Sequence, residues 1–359
     1  MTAVHQIMVG AGPGDAITQM ALDIQAELGR RGSSDIFARF IDPSMAAEVR
    51  ALDHLPAGRP SDVIVYHSSF GHPEITRTLL RRPEQLVLVY HNITPSAFFV
   101  EHDPAFAAGL EWGRHELTLL RDRVSLTVAD SDFNANELTA IGFHDVHTIP
   151  AGLLPRRLTA TVPSSSTLRD LDDTVTRPFV LNVSQLLPHK RQHVLIQATH
   201  VLQTIHAIDI GLVLVGTSRS PVYTLALHEL TRRLRVRHVW FAGRQPDAGL
   251  ATIYRRASVF ASASMHEGLG IPPLEAMAFN VPAVVRDAAA VSETVGSGAL
   301  VLPNDAGPLL FAEAIRRVID DEALRSKLIT RGASRLDELL ATGGTDGLIS
   351  LIEQQVLPR

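Results

Sequence analysis

Short apolar runs alternate with amphipathic stretches from one end of the chain to the other. His5–Val9 is an apolar run that ends in Gly10-Ala11-Gly12-Pro13-Gly14, and Ala16–Leu28 follows at helical spacing and stops at Gly29. Asp62–Tyr66, Gln85–Tyr90, Leu126–Ala129 and Val146–Ile149 are bare aliphatic or β-branched runs, the pattern of strands covered on both faces. Helical periods lie between them, among them Phe106–Arg121 and Asn134–Ile141. The same alternation resumes from Phe179. It predicts strands at Phe179–Val183, Ile210–Val215, His238–Phe241, Val259–Ser262, Val281–Val285 and Leu300–Leu302. The helices predicted between and after them are Arg191–Ile205, Val222–Leu234, Ala248–Arg255, Pro273–Phe279, Pro308–Ile319 and Glu322–Arg331. Strands alternating with helices imply parallel sheets with helices on both faces, an α/β fold.

One stretch breaks the rhythm. Ala160–Arg177 is rich in Ser, Thr and Asp without a sustained apolar period, and reads as a linker. The expected organisation is a Rossmann-like domain over 1–160, a linker over 161–177, a second Rossmann-like domain over 178–335 and a helical tail over 336–359 broken at Gly343-Gly344. For the tail, packing back on the first domain is one placement. Two doubly wound domains in series would bring the carboxyl ends of two sheets face to face, and ligands bind at such ends.

Composition narrows the function. The 359 residues include 33 basic and 38 acidic side chains, a net charge of −5, with no basic tract, which argues against nucleic acid as a partner. Cysteine is absent, which excludes a thiol nucleophile and Cys-ligated metals. Only two of the 33 basic residues are lysine, Lys190 and Lys327. No segment reaches the roughly 18 apolar residues of a membrane span. The N-terminus reads as a first buried strand and not as a signal peptide, so a cytoplasmic protein is expected. The basic stretch Arg77–Arg82 fits a solvated helix end, or at most a peripheral membrane contact.

The strongest chemical signal is Ser264–Ala278, SMHEGLGIPPLEAMA, placed directly after a predicted strand. Gly268 and Gly270 let the backbone approach a ligand closely. Pro272 and Pro273 suit a helix entry. A helix start directs free N–H groups and partial positive charge at a ligand, which suits a diphosphate. Glu267 in the loop can accept hydrogen bonds from sugar hydroxyls, and Glu275 on the first turns of the helix can bind a ribose diol. A tight strand–helix turn with a capping glutamate is the plain alternative.

Glu267 and Glu275 form an E-x7-E pair inside HEGLGIPPLEAMAFNVPAVV, which closely resembles the signature of the retaining GT-B glycosyltransferases, family 4. The stretches FAGRQPDAGLATIYRRASVFASAS and NVSQLLPHKRQHVLIQA resemble neighbouring segments of that family, and VYHNITPSAFF and DSDFNANEL resemble its acceptor domain. The resemblance implies two Rossmann-like domains facing each other across a cleft. It implies transfer of a sugar from a nucleotide diphosphate sugar to an acceptor hydroxyl on a saccharide, a lipid-linked saccharide or a small natural product. Retention at the anomeric carbon and independence of metal and cofactor also follow from it.

By the same resemblance Glu267 contacts the donor sugar, Glu275 the nucleotide ribose, and Lys190 the diphosphate. Gly268, Leu269, Gly270, Ile271 and Gly216 fall on the donor side. The family usually carries Gly-Arg just upstream of the lysine, where this chain has Ser184-Gln185; Arg191 or Arg244 could supply the missing cation. Asn280 replaces a family glycine at a helix end, where asparagine tolerates the left-handed conformation. Gly14 and Asp15, in the loop after the first strand, correspond to the family's loop over the donor phosphates; a plain turn, or the nicotinamide site of an oxidoreductase, are the other readings. His91 follows a strand as the family's histidine beside the transferred sugar does, and His67 and Asn92 fall on the acceptor side. Asp130-Ser131-Asp132 reads as helix N-capping. Glu293 resembles a donor-side position, and a helix-end surface acid fits it equally. The His189/His193 pair lacks an evident carboxylate ligand. A catalytically silent sugar-nucleotide binder is the third function class, with Gln185 as its hint.

Overall fold

Seven parallel strands form the first sheet: β1 (Val4–Ala11), β2 (Ile36–Ile41), β3 (Val49–Ala51), β4 (Val63–Ser68), β5 (Gln85–Tyr90), β6 (Leu126–Ala129) and β7 (Val146–Thr148). Their order across the sheet is β3-β2-β1-β4-β5-β6-β7. The helices of this part are α1 (Ala16–Leu28), α2 (Pro73–Arg81), α3 (Pro104–Leu120) and α4 (Asp132–Ala140). Valines of β1, β4, β5 and β6 pack with Met20, Ile24 and Leu28 of α1 on one face, and every residue of β4 and β6 is buried, so these strands are covered on both faces as the bare runs require. The computed structural model describes residues 2–29, 32–150 and 155–357. It comprises two units, Met1–Leu153 with Leu340–Arg359, and Leu154–Leu339.

The second unit opens with α5 (Pro155–Ala160) and α6 (Ser165–Thr174). Here the expected linker differs from the structure, because most of 161–177 is helix. Ser164 caps α6 by accepting from the Thr167 N–H at 3.2 Å, and the Ser164 N–H donates to Thr252 Oγ1 at 2.8 Å. Thr167 and Leu171 are the buried residues of this helix, a stripe too narrow to show as a period in a polar stretch.

Six parallel strands follow: β8 (Phe179–Val183), β9 (Gly211–Val215), β10 (Val239–Gly243), β11 (Val259–Ser262), β12 (Ala283–Arg286) and β13 (Ala299–Leu302). Their order is β10-β9-β8-β11-β12-β13. Between and after them run α7 (Gln192–Thr204), α8 (Pro221–Arg233), α9 (Asp247–Arg256), α10 (Ile271–Ala278), α11 (Val291–Val295), α12 (Pro308–Asp320) and α13 (Glu322–Thr342). Asn280 has φ 56°, the left-handed conformation expected of it. The last helix, α14 (Gly344–Gln355), packs Leu348, Ile349 and Ile352 into the core of the first unit. No described helix is long and apolar enough to cross a membrane.

Candidate functional site

In the second sheet the winding reverses between β8 and β11, and ligands of such sheets bind where the strands beside the reversal end. The loops leaving these two strands carry Lys190 and Glu267. Lys190 closes a single 3-10 turn, Pro188–Lys190, and its Nζ lies 2.7 Å from Glu267 Oε1. The same Nζ donates to the His266 carbonyl at 3.4 Å. Both side chains keep some access to solvent, 16% for Lys190 and 20% for Glu267. Backbone ties fix the two loops to each other and to the sheet. The Met265 N–H donates to His189 O at 2.9 Å and the Ala290 N–H to Glu267 O at 3.2 Å.

Two side chains that sequence reading missed hold these loops. Gln192, fully buried, donates from Nε2 to Ser184 Oγ at 2.8 Å and to Gln185 O at 2.9 Å. Arg286 is 1% exposed and spends its guanidinium on the carbonyls of Ala263 (3.0 Å), Ala306 (2.6 Å) and Asn304. A polar residue opening a helix and a charged residue ending an apolar strand were the available signals.

Gly270, with φ 88°, ends the β11 loop in a conformation that L side chains rarely adopt, and Ile271, Pro272 and Pro273 open α10 directly after it. Leu269 is buried beneath the loop. Glu275 lies one turn into α10. Its Oε2 accepts from the Tyr254 hydroxyl of α9 at 2.8 Å, and the same hydroxyl lies 3.2 Å from Pro272 O. Tyr254 is fully buried and stacks on Phe279 at 5.2 Å. Burial pushes the Glu275 carboxyl up to about 7; Asp247 adds to the rise, while the Tyr254 hydrogen bond and Arg157 oppose it.

That shift has a measurable sign. Between the ordinary value of 4.5 and about 7 the folded protein keeps a proton on Glu275 that the unfolded chain has released. Folding stability from this group is greatest at the acid end of that window and declines as pH rises through it. Urea unfolding at pH 5 and pH 8 should show Glu275→Gln gaining stability relative to the parent at the higher pH. An equal difference at both pH values would contradict the protonated state.

The other candidates are placed as follows. Arg191 has φ 52° and separates the 3-10 turn from α7, and Arg244 is exposed just beyond β10. Gly216 follows β9 with φ 148°, and a Cβ there would lie 2.0 Å from Ser184 O, so the loop after β9 presses on the loop after β8. In the first unit Gly14 has φ 72°, and the Asp15 carboxylate caps α1 by accepting from Thr18 N–H and Oγ1, both at 2.8 Å. Glu293 is exposed on α11. His193 Nδ1 lies 2.9 Å from the Tyr223 hydroxyl, and burial first, then Lys190 and His266, takes His189 down to about 3. Among the described residues no group of three or more His, Asp or Glu side chains is placed to hold a metal.

In the first unit His67 and His91 stand one step apart in a buried polar chain. Gln6 Nε2 donates to Ala21 O at 2.8 Å, and Gln6 Oε1 lies 2.9 Å from His67 Nε2. His67 Nδ1 lies 3.0 Å from His91 Nε2, and His91 Nδ1 lies 2.6 Å from Asp130 Oδ2. His67, expected on the acceptor side, is 1% exposed with both ring nitrogens engaged. Asn92, the other residue expected on the acceptor side, lies nearby in sequence. It is buried, with φ 74°, and its amide donates to Asn134 Oδ1 at 2.9 Å and Glu137 Oε2 at 2.8 Å. Its polar atoms brace a turn. In the D-x-D stretch Ser131 caps α4 by accepting from Asn134 N–H at 3.2 Å, while Asp130 serves His91.

Comparison with known proteins bears on this arrangement. Residues 168–335, the stretch holding Lys190, Glu267 and Glu275, match the family model of glycosyl transferases group 1. The O-antigen chain mannosyltransferase B of Escherichia coli is 24% identical over 265 residues, 72% of this chain and 67% of that one. The GDP-mannose-dependent monoacylated alpha-(1-6)-phosphatidylinositol monomannoside mannosyltransferase of Corynebacterium glutamicum is 30% identical over 212 residues, 55% of this chain and 54% of that one. The chain thus spans about two thirds of the first relative and about half of the second. Among solved structures, Anabaena Alr3699/HepE in complex with UDP and glucose superposes with a TM-score of 0.76 at 18% identity, covering 99% of this chain and 100% of that one. Sucrose-phosphate synthase from Thermosynechococcus elongatus gives 0.75 at 18% identity, covering 99% of each chain. The two parallel-sheet Rossmann-like halves are those of the GT-B glycosyltransferase fold.

Proposed function

We propose that this chain, whose residues 168–335 are a glycosyl transferases group 1 domain, is a retaining, metal-independent glycosyltransferase of the cytoplasm that moves a sugar from a nucleotide diphosphate sugar to an acceptor hydroxyl. The observation that carries the reading is the meeting of Lys190 and Glu267 at 2.7 Å beside the start of α10, with Glu275 one turn along the same helix. An ammonium and a helix N-terminus suit a diphosphate. Two carboxyl groups eight residues apart then meet the sugar and the ribose of the same donor.

Transfer passes through an oxocarbenium-like state in which the diphosphate gains charge as the glycosidic bond lengthens. Lys190, the positive end of the α10 dipole and the nearby Arg191 stabilise that charge without a metal. Glu267 holds a hydroxyl of the flattening sugar. The acceptor attacks the face from which the diphosphate departs, and a phosphate oxygen takes its proton. The relatives named as mannosyltransferases and the neighbour holding UDP and glucose make GDP-mannose and UDP-glucose the first donors to test. Turnover of either labelled donor that survives EDTA, with the α anomer preserved in the product, is the expected result. Loss of activity in EDTA with recovery in manganese would overturn metal independence, and binding without turnover would favour a silent binder.

A further inference from the structure

The chain Gln6–His67–His91–Asp130 fixes its own protons. The Ala21 carbonyl can only accept, so the Gln6 group facing it at 2.8 Å is the amide nitrogen, and the Gln6 oxygen must face His67. His67 Nε2 therefore carries a proton and donates to that oxygen. Its ring sits in the apolar interior between β1 and β5, and burial first, then His91, holds it well below the ordinary histidine range, so it is neutral. A neutral ring with a proton on Nε2 has only a lone pair on Nδ1. That lone pair faces His91 Nε2 at 3.0 Å, so the second proton must come from His91. A neutral His91 would then turn a bare Nδ1 toward Asp130 Oδ2 across 2.6 Å, two acceptors at hydrogen-bond distance. The pair must hold one proton more than a neutral imidazole and a carboxylate.

We propose that Gln6 and His67 are positioning residues that hold His91 as an imidazolium against the Asp130 carboxylate. With the shared proton on nitrogen, the 2.6 Å contact is a charge-assisted hydrogen bond from His91 Nδ1 to Asp130 Oδ2. Asp130 Oδ1 is buried and has no hydrogen-bond partner among the described residues, which leaves the His91 cation as the group that compensates this carboxylate. The other ionisable groups close by are occupied with each other. Tyr90 donates to Glu137 at 2.8 Å, and Arg114 lies 3.4 Å from Glu137. Register places Gln6 and His67 on one face of adjacent strands: Gln6 pairs with Val65 and Met8 with His67. The His91 side chain is 3% exposed and both its nitrogens are engaged. It acts on a ligand through its fixed charge and through the backbone it anchors, and not by offering a ring N–H. The bearing on sugar transfer rests on the function proposed above; the proton count does not.

Nitrogen NMR of histidine-labelled full-length protein at pH 7 reads this directly, with His67→Gln and His91→Gln assigning the signals. Expected are a His91 protonated on both ring nitrogens and a His67 protonated on Nε2 alone. In Gln6→Met the acceptor is gone. His67 should move its proton to Nδ1 and donate to His91, which then loses the proton on Nε2 and keeps the one on Nδ1. A singly protonated His91 in the parent protein would overturn the proposal and put the proton on Asp130. An unchanged His91 in a folded Gln6→Met would remove Gln6 from its positioning role. The parent measurement stands whether or not that variant folds, and turnover of a donor sugar does not enter it.

Discussion

Lys190→Ala is expected to lower donor turnover by roughly 10²-fold or more, because it removes a charge-assisted contact that strengthens as the leaving diphosphate gains charge. The structure adds a second reason. Lys190 is the cation 2.7 Å from Glu267, and without it an 80%-covered carboxylate remains at the place where the diphosphate would lie. Nucleotide diphosphate affinity should therefore fall by more than the loss of one ordinary phosphate contact. Pairing Lys190→Ala with Glu267→Gln should restore part of that affinity, a coupling a double-mutant cycle isolates. Arg191→Ala should cost a comparable factor in rate if Arg191 supplies the cation absent at Gln185. Lys327, exposed on α13, is the control, and Lys327→Ala should turn over normally. Near-normal rates in both Lys190→Ala and Arg191→Ala would remove the diphosphate from this site.

Much of the scaffold was legible because parallel strands buried on both faces leave uninterrupted apolar runs. Gln85–Tyr90, Leu126–Ala129, Phe179–Val183 and Val259–Ser262 match the observed strands residue for residue. β2 and β3 were missed for the converse reason. β2 ends in exposed Arg39 and Phe40, and β3 is three residues long at the sheet edge. Within the site, local signals sufficed where the chemistry is local. Glu267, Gly270 and Glu275 sit in one loop–helix passage, and the motif carries them together. Partners supplied by register were invisible. Gln6 lies 61 residues from His67, Asp130 lies 39 from His91, and Tyr254 lies 21 from Glu275. The hint for Gln6 was a single amide inside an apolar strand, since a buried polar group needs a partner. The same logic applies to the surroundings of His67. A histidine at a strand end is equally compatible with a ligand surface and with a buried relay, and the register of β1 with β4 decides between them.

Glu267→Gln should separate the chemistry from the binding. The sugar ring flattens and becomes positive as the bond to the diphosphate lengthens, and a carboxylate holding one of its hydroxyls interacts most strongly at that point. Its neutral isostere should lower kcat by roughly 10²-fold with a smaller change in the donor KM. Free nucleotide diphosphate carries no sugar and should respond in the opposite sense. The Glu267 carboxylate lies 2.7 Å from the Lys190 ammonium, so a diphosphate must compete with it. Partly exposed pairs of this kind contribute up to about 1 kcal/mol, so removing the charge should tighten nucleotide diphosphate binding by about two- to five-fold. Glu275→Ala should do the reverse. The ribose does not change during transfer, so its loss removes binding common to ground and transition states, and the donor KM should rise more than kcat falls. Calorimetric titration of both variants with the preferred nucleotide, beside steady-state kinetics, gives Kd, kcat and KM for each. Tighter nucleotide binding with a crippled kcat in Glu267→Gln is a combination that general damage to the fold does not produce. Weaker nucleotide binding there, with affinity retained in Glu275→Ala, would exchange the two roles and reverse the direction in which the donor lies along α10.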